Sequence, residues 1–282
     1  MTWTFGSDLA AWLPAARAAV AARPVVNTLL LTVMEGLERG GPNAYGPGTP
    51  LFGSWTGPGG RVTGAVLRTP PHPLLVGALP REALPALGAA LAAEPLFAGV
   101  DALNARRADA EVLASAWGRP TTVCEENRLY RLGGLRTPDP APAGRPRRAT
   151  GSDLPLLRDW TAAFHREAGL RGAVPEALLR DRLSYGGTLL WEDGGGPVSM
   201  AGFHRPVARV AHVARVGPVY TPPAHRGRGY GAGVTHAVSE AAYAAGAAEV
   251  LLFTDLANPT SNGVYRRLGY VPVEDRTELL AT

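Results

Sequence analysis

Val219-Tyr-Thr-Pro-Pro-Ala-His-Arg-Gly-Arg-Gly-Tyr-Gly231 is the stretch on which the reading of this chain turns. It runs from an apolar strand end through a proline-stiffened turn and an Arg/Gly-rich loop into the start of a helix. Glycines at 227, 229 and 231 let the backbone come close to a ligand and adopt positive φ. Successive free N–H groups at a helix start, with the helix dipole behind them, favour an anion. Arg226 and Arg228 can add charge-assisted bonds to phosphate oxygens. The loop lacks the Gly-Lys-Ser/Thr ending of a nucleotide P-loop, and its spacing differs from the dinucleotide fingerprint. The chain contains no lysine, isoleucine or glutamine, and all 28 basic residues are arginine. An Arg/Gly-rich surface turn is therefore the competing reading of this loop taken alone.

A second segment decides between them. An apolar run, Val250-Leu-Leu-Phe253, leads into Asp255-Leu-Ala-Asn-Pro-Thr-Ser-Asn-Gly-Val-Tyr-Arg-Arg-Leu-Gly-Tyr270. The pair of segments resembles the GCN5-related N-acetyltransferases (GNAT). Arg226, Gly229 and Gly231 match that family's Gln/Arg-x-x-Gly-x-Gly/Ala cofactor loop. Asn258, Tyr265 and Gly269-Tyr270 match its following motif, in the same chain order.

The resemblance implies roles. The backbone of Val219, Tyr220 and Thr221 should pair with the pantetheine arm of acetyl-CoA, the cosubstrate. Arg226, Gly227, Arg228, Gly229, Tyr230 and Gly231 should cradle its pyrophosphate. Asn258 and Ser261 should hydrogen-bond the pantetheine side, and Tyr265 should protonate the departing thiolate. A phenol with a pKa of about 10, against about 8.5 for a thiol, stays protonated at neutral pH and can still donate. A core aromatic with a satisfied hydroxyl is the alternative for Tyr265. The general base is left open among Glu167, His204 and His212, each of which is also explicable as a satisfied or exposed polar residue. Glu192 and Asp193 border a Gly-rich turn and read as solvent-exposed.

Outward from these motifs, Leu135-Arg-Thr-Pro-Asp-Pro-Ala-Pro-Ala-Gly-Arg-Pro-Arg-Arg148 carries four prolines and reads as an extended linker. It divides a first domain, 1–135, from a linker, 136–147, and a catalytic GNAT domain, 148–282. In the C-terminal half, helices are expected at 152–164, 175–183, 229–245 and 261–268. Strands are expected at 187–191, 198–204, 211–220, 250–253, 270–273 and 277–281. The N-terminal half repeats the order: helices at 9–22 and 25–39, strands at 51–55, 62–69 and 74–79, a helix at 82–93, a strand near 97–103, a helix at 105–117, and closing strands at 122–124 and 128–132. Trp55–Pro70 and Trp191–Pro206 can be laid over each other without a gap, with Trp, Gly, Val, Ala and Pro coinciding. The expected fold class is therefore α/β, with two GNAT-like domains, each a mixed central sheet flanked by helices. Where the first half should carry its phosphate loop it has Pro80-Arg-Glu-Ala-Leu-Pro-Ala-Leu-Gly88, and Glu82 would oppose a phosphate. The first domain thus reads as a degenerate copy without cofactor, and His72 as a loop residue.

Composition narrows the classes. Net charge is +4, and neither half is strongly basic: 11 Arg against 10 acids in 1–135, 14 against 13 in 148–282. Nucleic acid is not an expected partner. Cys124 is the only cysteine, which rules out an intrachain disulfide and a Cys-rich metal site. No metal is expected. The opening residues lack a signal-peptide pattern and the apolar run near Val25–Val33 is too short for a span, so the expectation is a cytoplasmic protein without a membrane partner, monomer or homodimer. The expected function is acetyl transfer to a small-molecule or peptide amine by direct attack in a ternary complex. An acyl-CoA-binding regulator or scaffold without turnover is the alternative, and a nucleotide-binding module a weaker one.

Overall fold

The computed structural model describes residues 1–170, 174–205 and 212–282. The chain forms two compact units, Met1–Leu129 with Val273–Thr282, and Tyr130–Pro272.

The first unit begins with β1 (Thr2–Gly6), α1 (Leu9–Ala21) and α2 (Thr28–Gly40). The alternation Thr-Trp-Thr-Phe is a period-two pattern, and β1 is a strand that the sequence analysis did not assign. Asp8 caps α1, its carboxylate accepting from the N–H groups of Ala10 and Ala11. Then follow β2 (Leu51–Thr56), β3 (Val62–Arg68), β4 (Leu74–Val76), α3 (Ala83–Ala93), β5 (Ala102–Arg106), α4 (Arg107–Trp117) and β6 (Thr121–Leu132). The order across the sheet is β1-β2-β3-β4-β5, antiparallel except for β4 and β5, which pair in parallel. One sheet face is closed by the apolar stripes of α3 and α4: Leu84, Leu87, Leu91, Leu113 and Trp117 pack on Val66, Leu74, Val76 and Leu103. Each such side chain contributes about 1.5–3 kcal/mol by leaving water.

The second unit contains β7 (Arg145–Arg148), α5 (Leu154–Glu167), α6 (Glu176–Ser184), β8 (Thr188–Asp193), β9 (Gly196–His204), β10 (Val213–Tyr220), α7 (Tyr230–Ala244), β11 (Glu249–Asp255), α8 (Pro259–Arg267) and the start of β12 (Tyr270–Ala281). Its sheet order is β7-β8-β9-β10-β11-β6, and only β10 with β11 is parallel among the registered pairs. Val250, Leu251 and Leu252 are buried on both faces, as a central parallel strand requires. Val234, Val238 and Ala242 of α7, with Tyr265 and Leu268 around α8, cover one face. Leu157 of α5, with Trp160, Phe164 and Leu183 around it, covers Leu190, Met200 and Tyr220 on the other.

Two boundaries differ from those expected. Residues 136–147, expected as an extended linker, are extended but docked on the second unit. Trp191 donates its indole N–H to Ala143 O at 2.7 Å, Pro142 lies against Gly233, and β7 pairs with β8. Pro146 is accommodated because β7 is an edge strand, where a missing N–H costs no ladder bond, and Pro138, Pro140 and Pro142 lie in irregular chain before it. The C-terminal strand also does not stay with the second unit. From Val273 on it belongs to the first, pairing antiparallel with β5 from Arg276↔Arg106 to Leu280↔Ala102. Glu274-Asp275-Arg276 had looked like a break between two short strands. Each residue instead finds a partner: Arg106–Glu274 at 3.1 Å, Arg128–Asp275 at 2.7 Å, and a buried site for Arg276. For the same reason β6 is continuous through Glu125-Glu126-Asn127, where Glu126 meets Arg107 at 3.3 Å.

Candidate active site

Strands β10 and β11 run in parallel register from Val213↔Glu249 to Val216↔Leu252 and then part. Past Val216 the β11-facing edge of β10 has no strand beside it, so its backbone groups face a gap. On its other edge β10 stays paired with β9, but with a register shift between Val216 and Val219. Gly217, with φ 151°, and Pro218 form this bulge. The bulge changes which side chains face which way. Val216 and Val219, three residues apart, both pack on the α7 face, which a regular strand forbids. Tyr220 is thereby turned to the α5 face, where its ring meets Trp160.

The loop after β10 is held by side chains. Ser199, fully buried, donates to Tyr220 O at 3.0 Å and shares a 2.8 Å bond with the Thr221 hydroxyl. Gly227 and Gly229 sit at φ 76° and 78°, where an L side chain is strained, and Gly229 caps α7 without a side-chain oxygen. The first-turn N–H groups of α7 therefore point out of an exposed Gly-Arg-Gly turn. Gly231 lies within that first turn, with only Thr221 Oγ1 near its Cβ position, at 3.5 Å.

Both loop arginines do something other than reach for phosphate. Arg226 donates from Nε to Thr221 O at 2.9 Å and pairs with Glu167. Arg228 acts on the neighbouring hydroxyl of Tyr230, which donates to Asp193; that carboxylate pushes the Tyr230 phenol up, and Arg228 opposes it. Asp193 is therefore a tether for α7 rather than a solvated residue, and Glu192 is tied to Arg147. Glu167 accepts from Arg226 and, at 2.8 Å, from the Tyr220 hydroxyl; these bonds hold its carboxyl below the usual range. A carboxylate so stabilised is a weak base, and its place in the structure is a clasp between α5 and the loop.

Helix α8 brings the second motif to the gap. Asn258 caps it, Oδ1 accepting from Ser261 N–H at 2.9 Å, and Pro259 fills its first position. One turn on, Asn262 is buried and was missed by the sequence analysis, although its i, i+4 spacing from Asn258 marks it. Its Nδ2 donates to Asp255 O at 2.8 Å and Asn258 O at 2.7 Å, and its Oδ1 accepts from the Tyr130 hydroxyl at 2.9 Å. Arg266 donates to the same hydroxyl at 3.2 Å. Tyr265 stands beside this knot, its ring 6.4 Å from that of Tyr130 and 6.0 Å from that of Tyr270. Burial alone raises its phenol to about 12, and no hydrogen bond engages its hydroxyl among the described residues. The proton is held firmly and is uncommitted.

Two expected candidates separate. His204 closes β9 directly opposite Arg215 of β10. His212 is not in the strand: it precedes it, exposed, with φ 46°, and its carbonyl accepts from Ala248 N–H at 2.7 Å. That is the closed end of the β10–β11 pair, away from the gap. Residue 211, expected to begin the strand, lies outside the described residues. Among those residues no cluster of metal-ligating side chains occurs and no helix is long and apolar enough to cross a membrane.

A parallel pair that splays at a bulge, a glycine loop at a helix start, and a tyrosine on the next helix define an acetyltransferase-type α/β domain. Residues 154–270 match the model of the Acetyltransferase (GNAT) family, and this part of the chain is a GNAT domain. The whole chain resembles an acetyltransferase from the GNAT family of Colwellia psychrerythraea, with TM-score 0.69 and 12% identity over 100% of this chain and 99% of the other. A GCN5-related N-acetyltransferase from Sphaerobacter thermophilus matches with TM-score 0.64 and 15% identity, over 98% and 94% of the two chains. One from Kribbella flavida matches with TM-score 0.59 and 20% identity, over 95% of each. These likenesses establish the fold, two GNAT-like domains of mixed α/β structure. No curated protein matches the sequence. The family match of residues 154–270 implies use of acyl-CoA.

Proposed function

We propose that the second unit transfers acetyl from acetyl-CoA to a primary amine by direct attack in a ternary complex. The observation that carries this reading is the uncommitted hydroxyl of the buried Tyr265, in the cluster with Val216 and Leu252 of the β10–β11 pair. The residues fit the cosubstrate. The free edge of β10 from Gly217 to Tyr220 offers backbone donors and acceptors to the pantetheine amides. The first-turn N–H groups of α7 receive the pyrophosphate. The bound thioester supplies the activated acyl group. A β10 backbone N–H next to the bulge supports the oxyanion as the amine nitrogen bonds to the carbonyl carbon. Tyr265 gives its proton to the sulfur as the C–S bond breaks, and the ammonium proton leaves through water. Arg226 and Glu167 hold the loop in place.

The test is release of free CoA in the presence of a panel of amines, for the wild type and for Tyr265→Phe. Turnover by the wild type and its loss in the variant support the reading. Tight acetyl-CoA binding with no CoA released by any amine, and no change in Tyr265→Phe, would replace it with an acyl-CoA-binding regulator.

A further inference from the structure

Tyr130 of β6, Tyr265 of α8 and Tyr270 at the start of β12 meet in one buried cluster of the second unit. The ring of Tyr265 has Tyr130 on one side, 6.4 Å away and tilted by 57°, and Tyr270 on another, 6.0 Å away and edge-on at 66°. The three hydroxyls differ in what they can do. Asn262 Oδ1 can only accept, so Tyr130 donates to it at 2.9 Å, and the Tyr130 oxygen accepts from Arg266 Nε at 3.2 Å. Ser239 has a single proton and gives it to Thr235 O at 2.7 Å. In the 2.8 Å bond between Ser239 and Tyr270 the phenol is therefore the donor. Both flanking protons are committed, whereas no hydrogen bond engages the Tyr265 hydroxyl among the described residues. The two anchors stand on different helices, Asn262 on α8 and Ser239 on α7.

We propose that Tyr130 and Tyr270 are positioning residues for acetyl transfer: their rings, pinned through Asn262 and Ser239, hold the Tyr265 phenol at the angle from which it protonates the leaving sulfur. This rests on the acetyl-transfer reading above. A hydroxyl with no bond of its own has only the packing of its ring to aim it. A general acid must come within hydrogen-bond reach of the atom it protonates, and a misplacement of about 1 Å can cost about 100-fold. The sequence puts Tyr130 in the first domain, yet its ring and its hydroxyl both work in the second unit. Its hydroxyl can be removed without undoing α8. Asn262 still donates to Asp255 O and Asn258 O, so the turn that carries Asn258 stays bound. The loss should therefore fall on kcat and spare acetyl-CoA binding.

The experiment measures kcat and KM for acetyl-CoA, with an amine that turns over, in Tyr130→Phe, Tyr130→Leu and Tyr270→Phe, each alone and combined with Tyr265→Phe. The two Phe variants should each lower kcat about threefold and Tyr130→Leu about tenfold, within a ceiling of about 100-fold set by the acid itself. KM for acetyl-CoA should stay within about twofold, because the acid acts only in the transition state. In the Tyr265→Phe background the same substitutions should change kcat by less than about twofold, since no acid is left to aim. Losses that persist undiminished in that background, or that fall on KM instead of kcat, would overturn the proposal by reducing the two tyrosines to packing. Circular dichroism and acetyl-CoA affinity report whether each variant is folded; should Tyr130→Leu fail to fold, the two Phe variants, which keep their rings, carry the test. NMR of the full chain with ¹³C-labelled tyrosine gives a readout independent of turnover. The edges of the Tyr265 ring should be inequivalent in the wild type and averaged by faster flipping in Tyr130→Leu. Tyr265 signals that do not change in any of the three variants would overturn the proposal whatever the activity. A loosened Tyr265 ring in a protein that releases no CoA with any amine would keep the clamp and sink acetyl transfer. Turnover that needs Tyr265, with losses that simply add, would keep acetyl transfer and sink the clamp.

Discussion

The first unit parts its parallel strands as the second does, and fills the gap differently. There β4 and β5 pair only at Leu74↔Leu103 and Leu75↔Asn104. Arg276 then reaches in from β12. Its guanidinium donates to Val76 O at 2.8 Å and Asn104 O at 2.9 Å, one carbonyl from each strand, and to Asn104 Oδ1 at 2.8 Å. The next backbone groups are also taken. Gly77 N–H bonds Ala65 O at 3.0 Å, Ala78 N–H bonds Asn27 Oδ1 at 2.8 Å, and Arg23 donates to Ala78 O. In the second unit the matching edge, Gly217 to Tyr220, has β9 on one side and the gap on the other. A splayed pair thus makes a site only when no side chain of the chain itself completes the backbone. In the first unit side chains complete it, and the expected stoichiometry is one acyl-CoA per chain.

The largest effect tests the plug. Arg276 is 2% exposed; burial lowers its pKa to about 10, so it remains a cation at neutral pH, with Glu274 3.7 Å away. Arg276→Met removes the charge and leaves two strand carbonyls and Asn104 Oδ1 without their donor, while Glu274 keeps Arg106. Loss of one partner from such a buried network costs about 3–5 kcal/mol. Denaturant unfolding of the variant should show that loss. Titration with acetyl-CoA should still saturate at one equivalent, because Asn27 and Arg23 continue to occupy the edge. A loss below about 1 kcal/mol, or a second bound equivalent, would break the comparison from the first unit's side.

Next comes the uncommitted phenol. Tyr265→Phe should lower kcat about 100-fold, or about 2.7 kcal/mol in barrier, the low end for general acid catalysis. Stability should stay within about 0.5 kcal/mol, since the variant keeps the ring and loses no internal hydrogen bond. The sign of the pH dependence follows from the raised pKa, near 12. The acid form persists far above neutrality, so the kcat profile should show no descending limb from Tyr265 between pH 7 and 10. A limb in that range that vanishes in Tyr265→Phe would mean a phenol much less buried.

A third substitution makes the second unit imitate the first. Glu82 stands at the N-cap of α3, where Gly229 stands for α7. Gly231→Glu puts a carboxylate in the first turn of α7 without the strain of positive φ and with little to clash against. Acetyl-CoA affinity should fall at least tenfold, about 1.4 kcal/mol, with folding preserved. Unchanged affinity by calorimetry would show that the pyrophosphate lies elsewhere.

Much of this contrast was legible in the chain, because it rests on local patterns. Gly227 and Gly229 announce a turn ahead of a helix, Asn258 and Tyr265 stand out through the resemblance to the GNAT motif, and Glu82 flags the other loop as unsuited to phosphate. What was not legible depends on partners distant in sequence. The Arg276 plug needs Asn104 and Val76, and Tyr130 needs Asn262. The charged triplet at 274–276 reads as a turn until Arg106 and Arg128 are beside it. The segment 136–147 reads as a linker because the docking of Ala143 on Trp191 and the edge position that tolerates Pro146 have no local signature. The loop arginines misled differently. In a chain whose basic residues are all arginine, residue type says little about whether a guanidinium faces a ligand or the protein.

Arg226 carries the smallest expected effect, and it decides whether side chains or backbone hold the anion. Its guanidinium is spent on Thr221 O and Glu167, and the two side chains of the pair are 49% and 43% exposed. Exposed pairs of this kind contribute about 0–1 kcal/mol. The folded-state pKa of Glu167 is depressed by Arg226 and Tyr220, so whatever the pair adds is present above the ordinary carboxylate range and is lost as pH falls through the lowered value. Arg226→Gln should therefore cost under about 1 kcal/mol, nearly nothing in acid, and raise KM for acetyl-CoA only about two- to threefold through a looser loop. A loss comparable to that of Gly231→Glu would mean that Arg226 leaves Glu167 for the phosphate when acetyl-CoA binds. In that case the second unit's gap would be completed by side chains after all, and its difference from the first would lie in which side chains can move aside.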